Sequence, residues 1–297
     1  MSIQKKVPLL IVAMVSLVML VSACGQLTNT GGNSSSSLTV GQVLQKSADA
    51  MKQLKSSPVD FQSATNVQAN GGTSSSATSN AQNINVQVKG NGDQQLPDQE
   101  QFNLTLNNSV NVAEILQGNK VYVKNSQGKW YVLDKSAFQN TAGNPFNGLT
   151  IDQNSLLGLL QNIKLTDNGT QSLNGVSLRH ITAQLDKAAL QQLINSDPHM
   201  KSMFGQQNIS EVLNKTKTFL STADVWIDET NFYVHRSELK VNMAADTSSV
   251  GNGAPNSVKT ALDVLVDLSK FNEPVTITPP TDATPTNNPA AVLGNQP

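Results

Sequence analysis

Apolar and polar residues alternate with a period of two along much of this chain, which restricts it to folds built on a large sheet. Residues 102–106 show this alternation, and Asn107-Asn108 follows them directly. Gly118-Asn119 and Asn174-Gly175 separate further segments of the same kind. Strands at this spacing, joined by Asn/Gly turns, are typical of an antiparallel meander. The same logic predicts a turn at residues 90–93, Gly-Asn-Gly-Asp.

Helical periodicity is confined to a few segments. Apolar residues recur at helical spacing from Leu38 to Lys55, with Thr39 as a cap, and a short helix is expected at 152–160. Within 186–219 we expect two helices, one capped by Asp186 that runs to Ile194 and one over 209–219, with breaks at Asp197-Pro198 and Gly205. About ten strands therefore occur in groups that precede and follow the helices, which predicts the α+β class. A strongly curved sheet with helices on its concave face would leave an apolar space between the layers, where ligand sites tend to occur.

The first residues of the chain have the features of a secretion signal. Lys5 and Lys6 precede an apolar run from Val7 to Val21, and Ser22-Ala23-Cys24 follows it. The run is shorter than the ~20 residues that a membrane span needs. We therefore expect cleavage before Cys24 and attachment of a lipid, diacylglycerol with acyl chains such as palmitate, to its thiol. An uncleaved membrane anchor is the alternative, and both place residues 25 onward outside the cytoplasm.

The chain divides into four predicted regions. Residues 1–23 form the lipoprotein signal peptide, and residues 24–37, rich in Gly, Ser, Thr and Asn, form a flexible tether. Residues 38–280 form a single α+β domain of the lipid-binding type. Residues 281–297 are rich in Pro, Thr, Asn and Ala and are predicted to be disordered.

Composition excludes several classes of function. Removing residues 1–23 leaves 18 basic against 21 acidic residues, since only two lysines are lost from totals of 20 and 21. Without a basic patch, nucleic acid is not an expected partner. Charged residues make up 14% of the chain, below the usual ~25%. Cys24 is the only cysteine, so no intramolecular disulfide can form.

No arrangement of residues points to catalysis or to a metal. The histidines are His180, His199 and His235, and none lies at ligand spacing from another. Asp224 and Asp228 are four residues apart on a strand, about 13 Å, which is too far for a carboxylate pair. We expect no catalytic residue, no metal, no cofactor and no enzymatic activity. Tyr122, Trp130, Trp226 and Tyr233 are read as packing residues or as the rim of a ligand entrance.

Several short motifs occur in a characteristic order behind Cys24. They include the segments 118–124 (GNKVYVK), 174–176 (NGV), 225–228 (VWID) and 267–277 (DLSKFNEPVTI). In this order the chain resembles the LppX/LprA/LprF/LprG-type lipoproteins of bacterial envelopes over most of residues 40–280. The resemblance implies a half-barrel of antiparallel strands over helices, similar to LolA-like carriers. It also implies a hydrophobic cavity for acyl chains and a role in moving lipids or glycolipids in the envelope.

These observations lead to one functional hypothesis. The protein is expected to be anchored by acylated Cys24 at the extracytoplasmic face of the cell membrane and to bind a lipid or glycolipid in its cavity. An envelope transporter or another envelope protein would then be its partner. The alternatives are a sensory or protein-interaction lipoprotein with the same fold and no open cavity, and an enzyme acting on envelope polymers. Candidate cavity-lining residues are Phe61, Val67, Val86, Phe102, Leu104, Val112, Leu157, Leu160, Leu190 and Val225.

Overall fold

The computed structural model describes residues 38–70, 82–139, 152–197, 209–246 and 256–288, together with Met200 and Val292. Within these ranges the helices are α1 (Val40–Lys52), α2 (Lys135–Gln139), α3 (Gln153–Leu160), α4 (Lys187–Ser196) and α5 (Ile209–Lys215). The strands are β1 (Ser56–Asn70), β2 (Gln82–Gln95), β3 (Gln99–Leu106), β4 (Val110–Gln117), β5 (Lys120–Lys124), β6 (Trp130–Asp134), β7 (Leu165–Leu173), β8 (Val176–Leu185), β9 (Thr216–Asp228), β10 (Val234–Asp246), β11 (Ser257–Leu268) and β12 (Thr284–Pro285). The predicted signal peptide, Cys24 and the tether lie outside the described residues.

All these strands belong to one open sheet with the order β12-β6-β5-β4-β3-β2-β1-β11-β10-β9-β8-β7. Every neighbouring pair is antiparallel except β12 and β6, which are parallel. The predicted turns at Asn107-Asn108 and Asn174-Gly175 are confirmed, and these residues adopt the positive φ angles that such turns favour. The predicted α+β half-barrel is therefore confirmed, with twelve strands where the sequence predicts about ten.

Helix α1 begins where the sequence predicts it. The Thr39 side chain accepts a hydrogen bond from the backbone N–H of Gln42, and the Gln42 side chain accepts one from the backbone N–H of Thr39. This reciprocal capping satisfies two donors that a helix start leaves free. Val43 and Leu44 are fully buried, so one apolar face of α1 packs into the core.

Helices α1, α3 and α4 pack on one face of the sheet, which we call the inner face; the opposite face is the outer face. Leu157 and Leu160 of α3 belong to the same buried cluster as Phe61 of β1 and Val225 of β9. The helices predicted over 40–55 and 152–160 are confirmed. The helix predicted from Asp186 to Ile194 is confirmed as α4, with Asp186 as its cap. The helix predicted over 209–219 ends at Lys215, because residues 216–219 already pair with β10 as part of β9.

The turn predicted at residues 90–93 is wrong, because β2 runs without interruption to Gln95. The glycines in this segment make room for neighbouring groups. A Cβ atom on Gly90 would lie 2.5 Å from the Phe61 ring, and one on Gly92 would lie 1.9 Å from the carbonyl oxygen of Gln101. Both positions therefore need glycine for close approach inside a strand.

The disorder predicted from residue 281 onward is corrected for residues 281–288. Thr284 and Pro285 form β12 beside β6, and the backbone N–H of Thr286 donates to the carbonyl of Val132 at 3.0 Å. Val292 is fully buried in a small cluster with Phe138 and Leu133. The segment pairs because β6 would otherwise present unpaired backbone groups at the edge of the sheet.

None of the helices within the described ranges is both long and apolar enough to cross a bilayer.

The glycine contacts give a first test of the fold. Gly92→Ala should destabilise the chain by about 1–3 kcal/mol, because the new methyl group must displace the backbone of β3. Gly158→Ala is the matched control: nothing lies within 4 Å of its Cβ position, and alanine favours the helix α3 by up to about 1 kcal/mol. Urea unfolding measures both changes, and equal stability of the two variants would contradict the close approach at Gly92.

Candidate functional site

The predicted cavity-lining residues lie on the inner face and on the helices that cover it. Most of them are packed in the main apolar core and are at most 8% exposed: Phe61, Phe102, Leu104, Leu157, Leu160, Leu190 and Val225. Phe61 and Phe102 are in edge-to-face contact, with ring centroids 5.9 Å apart. The structure thus brings these residues together as contact partners. Their role as a ligand lining stays a prediction.

The remaining candidates, Val67, Val86 and Val112, are only half-buried. They belong to a row of inner-face apolar residues near one end of strands β1 to β4, which we call the open strip: Val67, Ile84, Val86, Leu106, Val110 and Val112. Ile84 is 52% exposed and Val110 is 43% exposed. Exposed apolar residues that continue from a buried core are a feature of ligand or interaction surfaces.

The open strip exists because the helices are short relative to the strands. Strand β1 has 15 residues, about 50 Å in length, whereas α1, the longest described helix, has 13 residues and spans about 20 Å. Burial along β1 follows this difference. Val59 and Phe61 are 2% exposed, and the inner-face positions from Ser63 to Val67 are half-buried.

Glu114 is a buried carboxyl on the inner face that sequence reasoning missed. It is 7% exposed, lies between Phe102 of β3 and Val123 of β5, and its Oε2 has no hydrogen-bond partner. Burial, and to a lesser degree the charge of Glu100, raises the pKa of Glu114 well above its usual range, against the opposing charge of Lys135. The sequence does contain a signal for its burial: Glu114 lies two residues from both Val112 and Leu116, so the alternation places all three on the same face of the strand.

Arg179 links Leu38, the first described residue, to the sheet through a hydrogen bond. It is 4% exposed and donates to the backbone carbonyl of Leu38 at 2.8 Å, to Asp167 at 2.7 Å and to Glu229 at 3.0 Å. Burial alone lowers the pKa of Arg179, but its hydrogen bonds to Asp167 and Glu229 raise it above the usual value. Leu38 is therefore held at a fixed point beside β8.

A polar cluster on the outer face contains a histidine, a carboxylate and a hydroxyl. His180 Nε2 lies 2.7 Å from Asp224 Oδ1 and 3.3 Å from Thr182 Oγ1, and the Thr182 hydroxyl donates to the same carboxylate. Burial alone raises the pKa of Asp224, but hydrogen bonds from His180 and Thr182 lower it below its usual range. A catalytic relay uses opposite imidazole nitrogens for the hydroxyl and the carboxylate. Here one nitrogen faces both, so the cluster does not have that geometry.

The other predicted polar residues lie apart from this cluster. Asp228 ends β9 and accepts from the backbone N–H groups of Thr230 and Asn231, which closes the turn to β10. His235 packs edge-on against Phe271, and burial lowers its pKa. His199 lies outside the described residues. Within the described ranges no group of three His, Cys, Asp or Glu residues is placed to hold a metal.

The sequence profile of one family, described as a family of unknown function (DUF6612), matches residues 39–287. The chain belongs to this family. The matched range covers every helix and strand described above, from α1 to β12. No curated protein sequence matches the chain significantly.

Solved structures similar to this member of the family include two mycobacterial lipoproteins. The crystal structure of lipoprotein LppX from Mycobacterium tuberculosis matches with a TM-score of 0.44 and 18% identity, covering 81% of this chain and 100% of that one. LprF from Mycobacterium bovis matches with a TM-score of 0.43 and 16% identity, covering 81% and 96%. Both belong to the group of lipoproteins that the sequence motifs resemble. Similarity at this level assigns no ligand or function to this chain.

The buried carboxyl gives a test by pH. The folded-state pKa of Glu114 lies above the unfolded value, so the folded chain binds the proton more tightly and loses stability as the pH rises from the unfolded pKa to the folded pKa. Glu114→Gln removes this loss. The difference in free energy of unfolding between Glu114→Gln and the parent should therefore grow in favour of the variant as the pH rises above about 4.5. The growth is at most about 1.4 kcal/mol per pH unit.

Urea unfolding between about pH 4 and pH 8 measures this difference. Glu273→Gln, which changes an exposed carboxyl, is the control. A difference between Glu114→Gln and the parent that stays constant across this pH range would show that the Glu114 carboxyl is hydrated in the folded chain.

Proposed function

We propose that this protein is an extracytoplasmic lipoprotein, anchored to the membrane by acylated Cys24, that binds acyl chains against the open strip and helps to carry lipids or glycolipids in the cell envelope. The observation that carries the proposal is the extent of the inner face. Its apolar surface continues beyond the helices that cover the core, and Ile84 and Val110 are left about half exposed.

The chemistry of the open strip suits a hydrocarbon chain. Its members are valine, leucine and isoleucine side chains on adjacent strands, with Val67 paired to Ile84 and Leu106 paired to Val110. Each CH₂ group removed from water contributes about 0.8 kcal/mol, so several groups laid along this surface give useful affinity without polar contacts. Phe219 and Met243, both half-buried, extend the apolar surface across β9 and β10.

The entry point of the chain supports an anchored domain. Arg179 holds the carbonyl of Leu38, and the fourteen residues 24–37, which begin with Cys24, precede this point. Fourteen residues reach at most about 50 Å when extended. This length would let the domain stand clear of the headgroups and still exchange lipids with the membrane to which it is tethered.

The second candidate is a sensory or protein-interaction lipoprotein without an open cavity. The observation that favours it is the close packing of the helices on the sheet, where Leu157, Leu160 and Val225 are fully buried. In that case the open strip would be covered by a partner protein instead of a lipid.

Binding of a fluorescent fatty acid to the chain from residue 24 onward, with Cys24→Ser to prevent acylation, tests the proposal. The double variant Val86→Glu/Val112→Glu places two charges in the open strip and should weaken binding at least about tenfold, because each charge must be desolvated beside the acyl chain. Both sites are half-buried, so thermal melting should show a folded chain.

Leu220→Glu is the matched control. Leu220 is 56% exposed and belongs to the outer face, since its neighbour Phe219 packs on the inner core. It should leave fatty-acid binding unchanged. Absence of binding by the parent chain, or equal loss in Leu220→Glu, contradicts the proposal. Mass spectrometry of the protein extracted from its own membrane adds a direct reading, since a chain with no lipid beyond its anchor would favour the protein-interaction candidate.

A further inference from the structure

Both tryptophans of the chain lie in one row of residues that crosses the outer face of the sheet. At one end, Trp226 of β9 is paired with Arg236 of β10, and Arg236 is paired with Asp267 of β11. At the other end, Trp130 of β6 is paired with Lys124 of β5. Eight strand spacings of about 4.8 Å separate the two tryptophans, roughly 38 Å along the sheet.

The middle of the row is polar and continuous. Asp60 of β1 follows Asp267, and the pairing continues through Asn91, Asn103 and Ala113 to Lys124. The five members of the row from Asp60 to Lys124 line a groove of about 660 Å³. A second groove of about 290 Å³ adjoins it over β10, β11, β1 and β2, and the two share Lys89.

The larger groove is lined by amide, hydroxyl and ammonium groups, by the Asp60 carboxylate, and by apolar residues such as Ala113. Asn91, Asn103 and Asn111 are exposed, and the Thr105 hydroxyl donates to the Asn111 side chain at 2.9 Å. Such groups make hydrogen bonds with hydroxyl-rich ligands in both directions, because an amide both donates and accepts. They lie on strands and are held at fixed spacing by the ladder hydrogen bonds.

The charge of the groove favours an anion. Its lining contains two lysines, Lys89 and Lys124, and one carboxylate, Asp60, so its net charge is 2 − 1 = +1. Within the described part of the chain, neither lysine forms an ion pair with a carboxylate. Of the neighbouring carboxylates on this face, Asp267 is paired with Arg236, and Glu238 and Asp263 lie beside Lys240. Asp93 accepts a hydrogen bond from the side-chain amide of Gln101 at 2.8 Å.

The two tryptophans are half-buried at the ends of the row, and the Arg236 guanidinium lies over the Trp226 ring, 5.9 Å from its centroid. Trp226 is held by stacking on His180 at 4.2 Å between ring centroids and by donation of its Nε1–H to Gln171 at 3.0 Å. The ammonium group of Lys124 lies 6.0 Å from the centre of the Trp130 ring. A pyranose ring has an apolar face that packs on indole, and the spacing of strands is comparable with the rise of one sugar unit in an extended chain.

We propose that the outer face is a binding site for an extended glycan that carries anionic groups. The asparagine and threonine side chains hydrogen-bond the sugar hydroxyls, Lys89 and Lys124 pair with its carboxylate or phosphate groups, and Trp130 packs on a sugar ring. This site is independent of the open strip, because it lies on the opposite face of the same strands. An envelope protein with both sites would hold a lipid on one face and a cell-surface polymer on the other.

Calorimetry on the chain from residue 24 onward, with Cys24→Ser, tests the proposal with two probes of equal length. An oligogalacturonate carries a carboxylate on every sugar, and a fully N-acetylated chito-oligosaccharide is neutral. We expect the oligogalacturonate to bind more tightly, and its affinity to fall as the salt concentration rises. Lys89→Gln/Lys124→Gln should reduce its affinity about three- to tenfold and leave the neutral probe unchanged.

Two further variants separate binding from folding. Trp130→Ala should weaken both probes about two- to tenfold, and Trp130→Phe should restore part of the loss. Lys259→Gln is the matched control, because Lys259 is exposed on β11 beside Gln68 and Ala244, outside both grooves. It should bind both probes like the parent chain.

Three results would overturn the proposal. The first is absence of binding for both probes, and the second is equal affinity for the charged and the neutral probe. The third is binding to phosphatidylglycerol vesicles that is lost in Lys89→Gln/Lys124→Gln while neither glycan binds, which would assign the outer face to the membrane surface. Loss of fatty-acid binding has no bearing on these outcomes, so the two proposals fail separately.

Discussion

The pairing of β1 with β11 makes this fold one sheet. Twelve residue pairs, from Val59 and Leu268 to Asn70 and Ser257, join strands that are about 200 residues apart in the chain. On one side of this junction β2 to β6 follow each other as a meander, and on the other side β7 to β10 do the same. Each meander alone would expose a long edge strand. Their union creates an inner face wide enough for α1, α3 and α4 and an outer face that no described helix covers.

Features that depend on local sequence could be predicted. The alternation predicts the strands, and Asn174-Gly175 predicts a turn, in which both residues adopt positive φ angles. Thr39 predicts the start of α1. Features that depend on distant residues could not. Gly90 and Gly92 look like a turn, but the Phe61 ring, 29 residues before Gly90, and the β3 backbone explain them. The pairing of Thr284 with β6 also has no local signal, because it depends on a free edge elsewhere in the chain.

The candidate site shows the same division. The sequence indicated which residues face the inside, and Phe61, Phe102, Leu104 and Val225 are indeed buried there. Alternation does not show where a helix layer ends, so the difference between the packed core and the open strip at Val86 and Val112 could only come from the structure. The row of residues that crosses the outer face could not be predicted either. Trp130 and Trp226 are far apart in sequence, and only the register of nine strands places them in the same row.

The apolar inner face is larger than its helical cover, and we propose that acyl chains occupy the uncovered part. Anomalous diffraction from crystals grown with a fatty acid brominated near the end of its chain tests this most directly. We expect a bromine peak over the open strip, within contact of Val86 or Val112. A fully occupied bromine peak elsewhere, or no bromine peak at a saturating concentration of the fatty acid, would contradict binding at the open strip.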